Sequence, residues 1–216
     1  MTAVTKQDFL LAVRKASFAV PEAYAVGGKI GEEHFGGIRD GIVKNCIVDS
    51  TMVRRTVNGL LEKTGLAIEA QALEFRDYPA VILTLTLTNP TAEPVTLDRF
   101  RLLRREFCGE SPVILTEGGE KLALPEPPAK GQCCSAPAFS EKRYFLAFDE
   151  CTVMIESECA KRFHAEPLGA TAGVLCENVT VPAGQSVTLP SITLFVCEGD
   201  AERCRALIDS FESIHF

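Results

Sequence analysis

The sequence predicts an all-β fold: a large two-sheet antiparallel β-sandwich with a C-terminal amphipathic helix. Three observations carry that prediction. Residues 81–88, "VILTLTLT", alternate strictly. Val81, Leu83, Leu85 and Leu87 point one way in an extended chain, and Ile82, Thr84, Thr86 and Thr88 point the other, the period of a half-buried strand. Segments of strand length then recur along the chain between Gly, Pro, Asn and Asp clusters, giving roughly eight to eleven strands. Finally, Ala201, Cys204, Leu207, Ile208 and Phe211 form one helical stripe behind Asp200, a good N-cap, with Glu202 in the first turn.

The remaining elements follow in order. Thr5-Lys6-Gln7-Asp8 caps a short helix running to Ala16. Residues 52–61 place Val53, Val57, Leu60 and Leu61 at helical spacing. Gly59 interrupts them, however, and Thr64-Gly65 follows as a hairpin turn, so the segment is read as a strand. Residues 65–75 alternate as a further strand. Asn89-Pro90 stops the 81–88 strand, because proline has no N–H for the ladder. The chain resumes at 95–107, and later extended runs fall at 144–148, 152–156, 174–181, 186–189 and 192–197, with Pro182-Ala183-Gly184-Gln185 as a tight turn. Residues 117–140, rich in Gly and Pro, form the longest irregular stretch. No composition shift divides the chain, so residues 1–216 are read as a single domain.

A chain of 216 residues can bury a full core without metals or disulfides. Its net charge of −7 argues against a nucleic-acid partner, and basic runs such as Arg54-Arg55 and Arg104-Arg105 are short and read as solvated strand positions. Lys6, Asp8, Arg14 and Lys15 interrupt any signal-peptide core, and no apolar run suits a membrane span. Nine scattered cysteines, with no Cys-x-x-Cys pair and three histidines, suggest neither a zinc site nor any other cofactor. They are expected to be thiols in a reducing compartment, the cytoplasm.

Two stretches could bind a polar ligand. "GKIGEEHFGGIRDG", residues 28–41, surrounds His34, Phe35, Arg39 and Asp40 with glycines, offering an imidazole and a fork donor. The bland alternative is a loop of two hairpin turns with an exposed His34. The turn Glu74-Phe75-Arg76-Asp77-Tyr78 could present Arg76, Asp77 and Tyr78 to hydroxyl groups; otherwise Asp77 caps its own turn and Arg76 pairs locally. Among the carboxylates Glu32-Glu33, Asp77, Asp149-Glu150, Glu156 and Glu158, no spacing selects an acid–base pair. Neither Cys133-Cys134 nor His164 has a sequence neighbour that would activate it.

"KTGLAIEAQALEFRDYPAVILTLTLTN" resembles the N-terminal β-sandwich module of bacterial melibiase-type α-galactosidases. Thr64-Gly65-Leu66, Glu74, Asp77, Tyr78-Pro79-Ala80-Val81 and Asn89 carry the likeness, and "VTVPAGQSVTLPSITLFVCEGDAERCRALIDSF" is similar to that module's turn-strand-strand-helix ending. The resemblance implies the supersandwich shared with galactose mutarotase-like proteins. In that family a catalytic barrel carrying two aspartates follows the module, and this sequence ends at Phe216, where the barrel would begin, so no catalytic residue is carried over. The strand after Pro-Ala-Val has Ile82-Leu83 in place of the family's common tryptophan, which weakens independent sugar binding.

The resemblance therefore implies a non-catalytic, carbohydrate-associated module. Its expected partners are a carbohydrate ligand and either a second copy or a separate catalytic domain, met through the apolar helix end at Phe211, Ile214 and Phe216. An aldose-epimerase-like enzyme and a purely structural oligomerisation module are the alternatives.

Overall fold

The computed structural model describes residues 27–36, 38–108, 112–123, 141–149, 151–166 and 169–215. The expected N-terminal helix, Cys133-Cys134 and most of the 117–140 stretch lie outside them. The described residues form fourteen strands and one helix: β1 (Gly27–Ile30), β2 (Glu33–Gly36), β3 (Ile38–Ile47), β4 (Met52–Leu61), β5 (Ala67–Phe75), β6 (Ala80–Thr88), β7 (Val95–Cys108), β8 (Val113–Thr116), β9 (Arg143–Ala147), β10 (Cys151–Glu156), β11 (Ala160–Glu166), β12 (Gly169–Val181), β13 (Ser186–Thr188), β14 (Ile192–Glu198) and α1 (Ala201–His215). They form a five-stranded sheet, β11-β12-β7-β1-β2, and a nine-stranded one, β3-β4-β5-β6-β14-β10-β9-β8, with β13 also pairing β6. Every pairing among the described strands is antiparallel, and the two sheets share one core, so the fold is a β-sandwich.

The alternation in 81–88 is what places the core. Leu83, Leu85 and Leu87 face Ala72, Ala70 and Ile68 across the β5–β6 ladder, and all six are buried. The inner face of the small sheet meets them with Leu97, Phe100, Leu102, Phe163, Val174 and Val181. The stop at Asn89-Pro90 is also a brace. The fully buried Asn89 amide donates to the carbonyls of Glu93 (2.7 Å) and Val181 (3.0 Å), while its Oδ1 accepts from the Thr91 amide (3.0 Å) and hydroxyl (2.7 Å). Asn89 thereby fixes the β6–β7 loop to the end of β12 and satisfies its own buried groups. Gly65 closes the β4–β5 turn at φ 71°, a conformation that favours glycine.

Several expectations need correction. Residues 28–41 are not a glycine loop: they form the β1–β2 hairpin, then cross from the small sheet into β3 of the large one. Both β2 and β3 are edge strands, whose wet surroundings leave no clean alternation in sequence. Arg55 is not a solvated strand position. It lies half-buried with Nε 2.7 Å from Glu74 Oε1, though neither atom has a well-directed hydrogen bond.

The cysteines are not all thiols. Cys159 and Cys176 form a disulfide with Cα atoms 5.5 Å apart. Ala160 pairs with Leu175 in the β11–β12 ladder, and continuing that register by one residue sets the two cysteines opposite each other. A pairing created by strand register is invisible as sequence spacing, and it removes the main support for a reducing compartment. Cys46, Cys151, Cys197 and Cys204 are not disulfide-bonded. Among the described residues, no helix is long and apolar enough to cross a membrane.

Candidate functional site

Helix α1 lies on the outer face of the nine-stranded sheet. Gly199, at φ 93°, turns the chain out of β14, and Asp200 Oδ1 accepts the Arg203 amide at 2.9 Å as the expected N-cap. The stripe Ala201, Cys204, Ile208 and Phe211 then packs on Ala80, Phe145, Met154, Phe195 and Cys197. Phe211, expected as an exposed adhesive end, is instead buried between Phe75, Tyr78 and Phe195, with ring centroids 4.8, 5.3 and 5.7 Å away. Ile214 is exposed, and Phe216 lies outside the described residues.

Beside the helix opens a cleft of about 520 Å³. One cross-strand row forms much of its floor: Arg143 on β9 faces Glu156 on β10, which faces Thr193 on β14, which faces Ile82 on β6. Met154, Phe195, Ile208 and Phe211 add apolar edges, while Lys142, Ser191 and Glu212 add polar ones.

Arg143 organises the polar wall. Its Nε and Nη2 donate to Glu156 Oε2 at 2.9 and 2.7 Å, and Nη2 also reaches Glu212 Oε1 at 2.5 Å. Nη1 lies 3.6 Å from Glu117 Oε1, and Lys142 Nζ lies 3.2 Å from Glu156 Oε1. Burial opposes the guanidinium charge, but the hydrogen bonds it donates to Glu156 and Glu212, with the pull of their charges, outweigh it and raise the pKa of Arg143 above the usual arginine value. Glu156 and Glu212 converge on one nitrogen rather than facing each other across space for a substrate. An acid–base pair for glycoside hydrolysis would flank the scissile bond instead. The wall suits recognition of hydroxyl groups by charged donors and acceptors.

The sequence candidates fall elsewhere. His34 sits on β2, and Arg39 and Asp40 sit on β3, so they are divided between the two sheets; their side chains lie outside the described residues. Arg76, Asp77 and Tyr78 do share the β5–β6 turn, which lines a separate hollow of about 460 Å³. There Tyr78 serves the helix, its hydroxyl 3.2 Å from Ser210 Oγ. Arg76 donates to the Ser50 carbonyl at 3.3 Å, a partner on the β3–β4 turn rather than in its own. Among the described residues Asp77 makes no capping hydrogen bond. Asp49 caps the neighbouring turn, accepting from the amides of Thr51 (2.7 Å) and Met52 (2.9 Å).

This architecture matches solved structures. It superposes on the α-galactosidase of Lactobacillus brevis with a TM-score of 0.57, covering 88% of this chain and 31% of that one at 12% identity. The galactosidase domain of the α-galactosidase–sucrose kinase AgaSK matches at 0.55, with 82% and 30% covered and 10% identity. The GH36 α-galactosidase AgaB of Geobacillus stearothermophilus matches at 0.52, with 82% and 30% covered and 11% identity. The fold is that of the α-galactosidase N-terminal β-sandwich.

The chain thus spans about a third of the length of the enzymes it matches. No family model matches it, and no curated protein matches it in sequence. Within this α-galactosidase-type sandwich, sequence reading named Glu156 only as one carboxylate among several. It missed Arg143, Thr193 and Glu212, which become neighbours through strand register and helix docking.

Proposed function

We propose that this chain is a non-catalytic, carbohydrate-associated module that presents the α1 cleft to a sugar, alone or beside a catalytic domain. The observation that carries this reading is the shared architecture: 88% of the chain superposes on part of an enzyme described as an α-galactosidase. The cleft supports it, since an apolar edge at Ile82 and a charged wall at Arg143 and Glu156 suit the two kinds of surface on a pyranose ring. A binding role fits better than a catalytic one because both wall carboxylates are tied to Arg143.

The test is a titration with monosaccharides and α-galactosides followed by protein NMR. Binding should move the signals of Ile82, Met154 and Thr193, and Arg143→Met should abolish those shifts. Absence of any shift at about 50 mM sugar, a concentration that detects even very weak binding, would rule out a free-standing sugar site.

A further inference from the structure

The outer face of the nine-stranded sheet does not end at the cleft. Ile82 lies at the cleft floor, and the next outward residues on β6 are Thr84 and Thr86, alternating with the buried Leu83 and Leu85. Across the ladders Thr84 faces Gln71 on β5, which faces Thr56 on β4. Thr86 likewise faces Glu69, which faces Asn58. These six residues form two rows running away from Ile82, and all are partly exposed. We propose that the two rows are an oligosaccharide platform: they continue the cleft and hold the further units of a linear, uncharged sugar chain. The inference rests on the sugar cleft of the proposed function and extends it from one unit to several.

The composition of the rows selects this kind of ligand. Glu69 is the only charged residue of the six, and no lysine or arginine is present to hold phosphate or carboxylate groups. None is large and apolar, whereas the centre of a protein interface is built on aromatic and apolar anchors. What remains is hydroxyl, amide and carboxylate groups, which can both donate to and accept from sugar hydroxyls. The threonines and Asn58 are short, so they lose less rotamer freedom on binding than lysine or arginine would.

Several of these groups are aligned before a ligand arrives. Gln71 Nε2 donates to Glu69 Oε1 at 2.7 Å, which leaves Gln71 Oε1 and the second Glu69 oxygen without a partner among the described residues. The hydroxyls of Thr86 and Thr188 lie 3.0 Å apart, and those of Thr88 and Ser186 2.7 Å apart. In each pair the accepting hydroxyl keeps its own proton for a further bond, and both keep lone pairs. Neighbouring strands lie ~4.8 Å apart and successive outward residues ~6.8 Å apart, distances that bracket the length of a pyranose unit. A chain leaving the cleft past Ile82 therefore meets a new set of donors and acceptors at each unit.

The experiment titrates the full, isotopically labelled chain with galactose and with α-linked galactose oligomers of increasing length, followed by NMR. Affinity should rise with length, about fivefold for each unit that gains one net hydrogen bond. Signals of Thr84, Gln71 and Thr86 should move with the oligomers and stay still with galactose, whose shifts are confined to Ile82, Met154 and Thr193. Thr84→Val combined with Gln71→Met nearly conserves side-chain volume and should remove most of the gain with length. Equal affinity for galactose and its longest oligomer, with still signals at Thr84 and Gln71, overturns the platform and leaves the cleft standing. If no sugar moves Ile82 or Thr193, the cleft itself fails and the platform falls with it. Platform signals that shift with protein concentration alone overturn the proposal in favour of a second copy on this face. The wild-type titrations decide the matter even if the double variant folds poorly.

Discussion

Lys161 offers a quantitative test of how this sandwich holds a charge. It is fully buried, with Nζ donating to the carbonyl of Glu141 at 2.7 Å and to that of Ser157, and lying 5.8 Å from the Tyr144 ring centroid. Burial lowers its pKa from 10.5 to about 8, against the pull of Glu158 and Glu156. Between those values the unfolded chain binds one more proton than the folded one, so stability rises with pH across that window. At about 1.4 kcal/mol per pH unit, the gain approaches 3 kcal/mol by the upper end. Lys161→Met keeps most of the stem and removes the titrating group, so this gain should vanish. Below pH 8 the variant loses two carbonyl caps, at about 1–3 kcal/mol each, but no longer buries a charge, and the two terms partly offset. Urea unfolding of both proteins at pH 7, 8.5 and 10 measures the difference, with contributions common to both, such as the ionisation of Tyr144, largely cancelling. A difference that stays flat from pH 7 to 10 would refute the reasoning and mean that the two carbonyls hold the ammonium as well as water does.

Two further predictions concern the framework. Leu85→Ala should cost about 2–5 kcal/mol as a core truncation, whereas Thr86→Ala should cost no more than about 1 kcal/mol, the worth of its 3.0 Å hydroxyl contact with Thr188. Denaturant titration that finds equal costs would mean that the two faces of β6 are equally buried. Phe211→Ala should cost about 3–5 kcal/mol and release the end of α1, read as faster amide exchange in the helix. Unchanged exchange would show that the helix is held without its aromatic anchor.

How much of this was legible in the sequence depended on whether one face of an element is buried. In β5 and β6, alternate residues enter the core, so the pattern states both the strand and its orientation. The strand 52–61 was also recoverable, because Gly59 and the Thr64-Gly65 turn outweighed an accidental helical spacing. Helix α1 was visible from its stripe and cap, but which surface it covered was not: Phe211 looks equally adhesive whether its partner is another molecule or its own sheet. β1 and the edge strands β2 and β3 gave no alternation. The Cys159–Cys176 pairing and the row Arg143, Glu156, Thr193 and Ile82 arise from register between strands distant in sequence, and residue types along one segment do not encode that register.

The cleft itself follows from where the outer face of the large sheet changes character. Ala80, Met154, Phe195 and Phe145 are apolar and need a cover, which α1 supplies. Two rows further along β6, the same face presents Thr84 with Gln71 and Thr56, then Thr86 with Glu69 and Asn58, which can remain wet. The Arg143-to-Ile82 row lies between these regions. A helix stripe wide enough to shield the apolar part ends there, and Glu212 on its margin reaches down to Arg143. A broader stripe would close the gap and bury the guanidinium. A narrower one would leave Phe195 wet. The cleft is therefore the seam between a surface that must be covered and one that need not be. For that reason it offers an apolar edge beside charged hydrogen-bonding groups, a combination that suits a sugar better than it suits a purely apolar ligand.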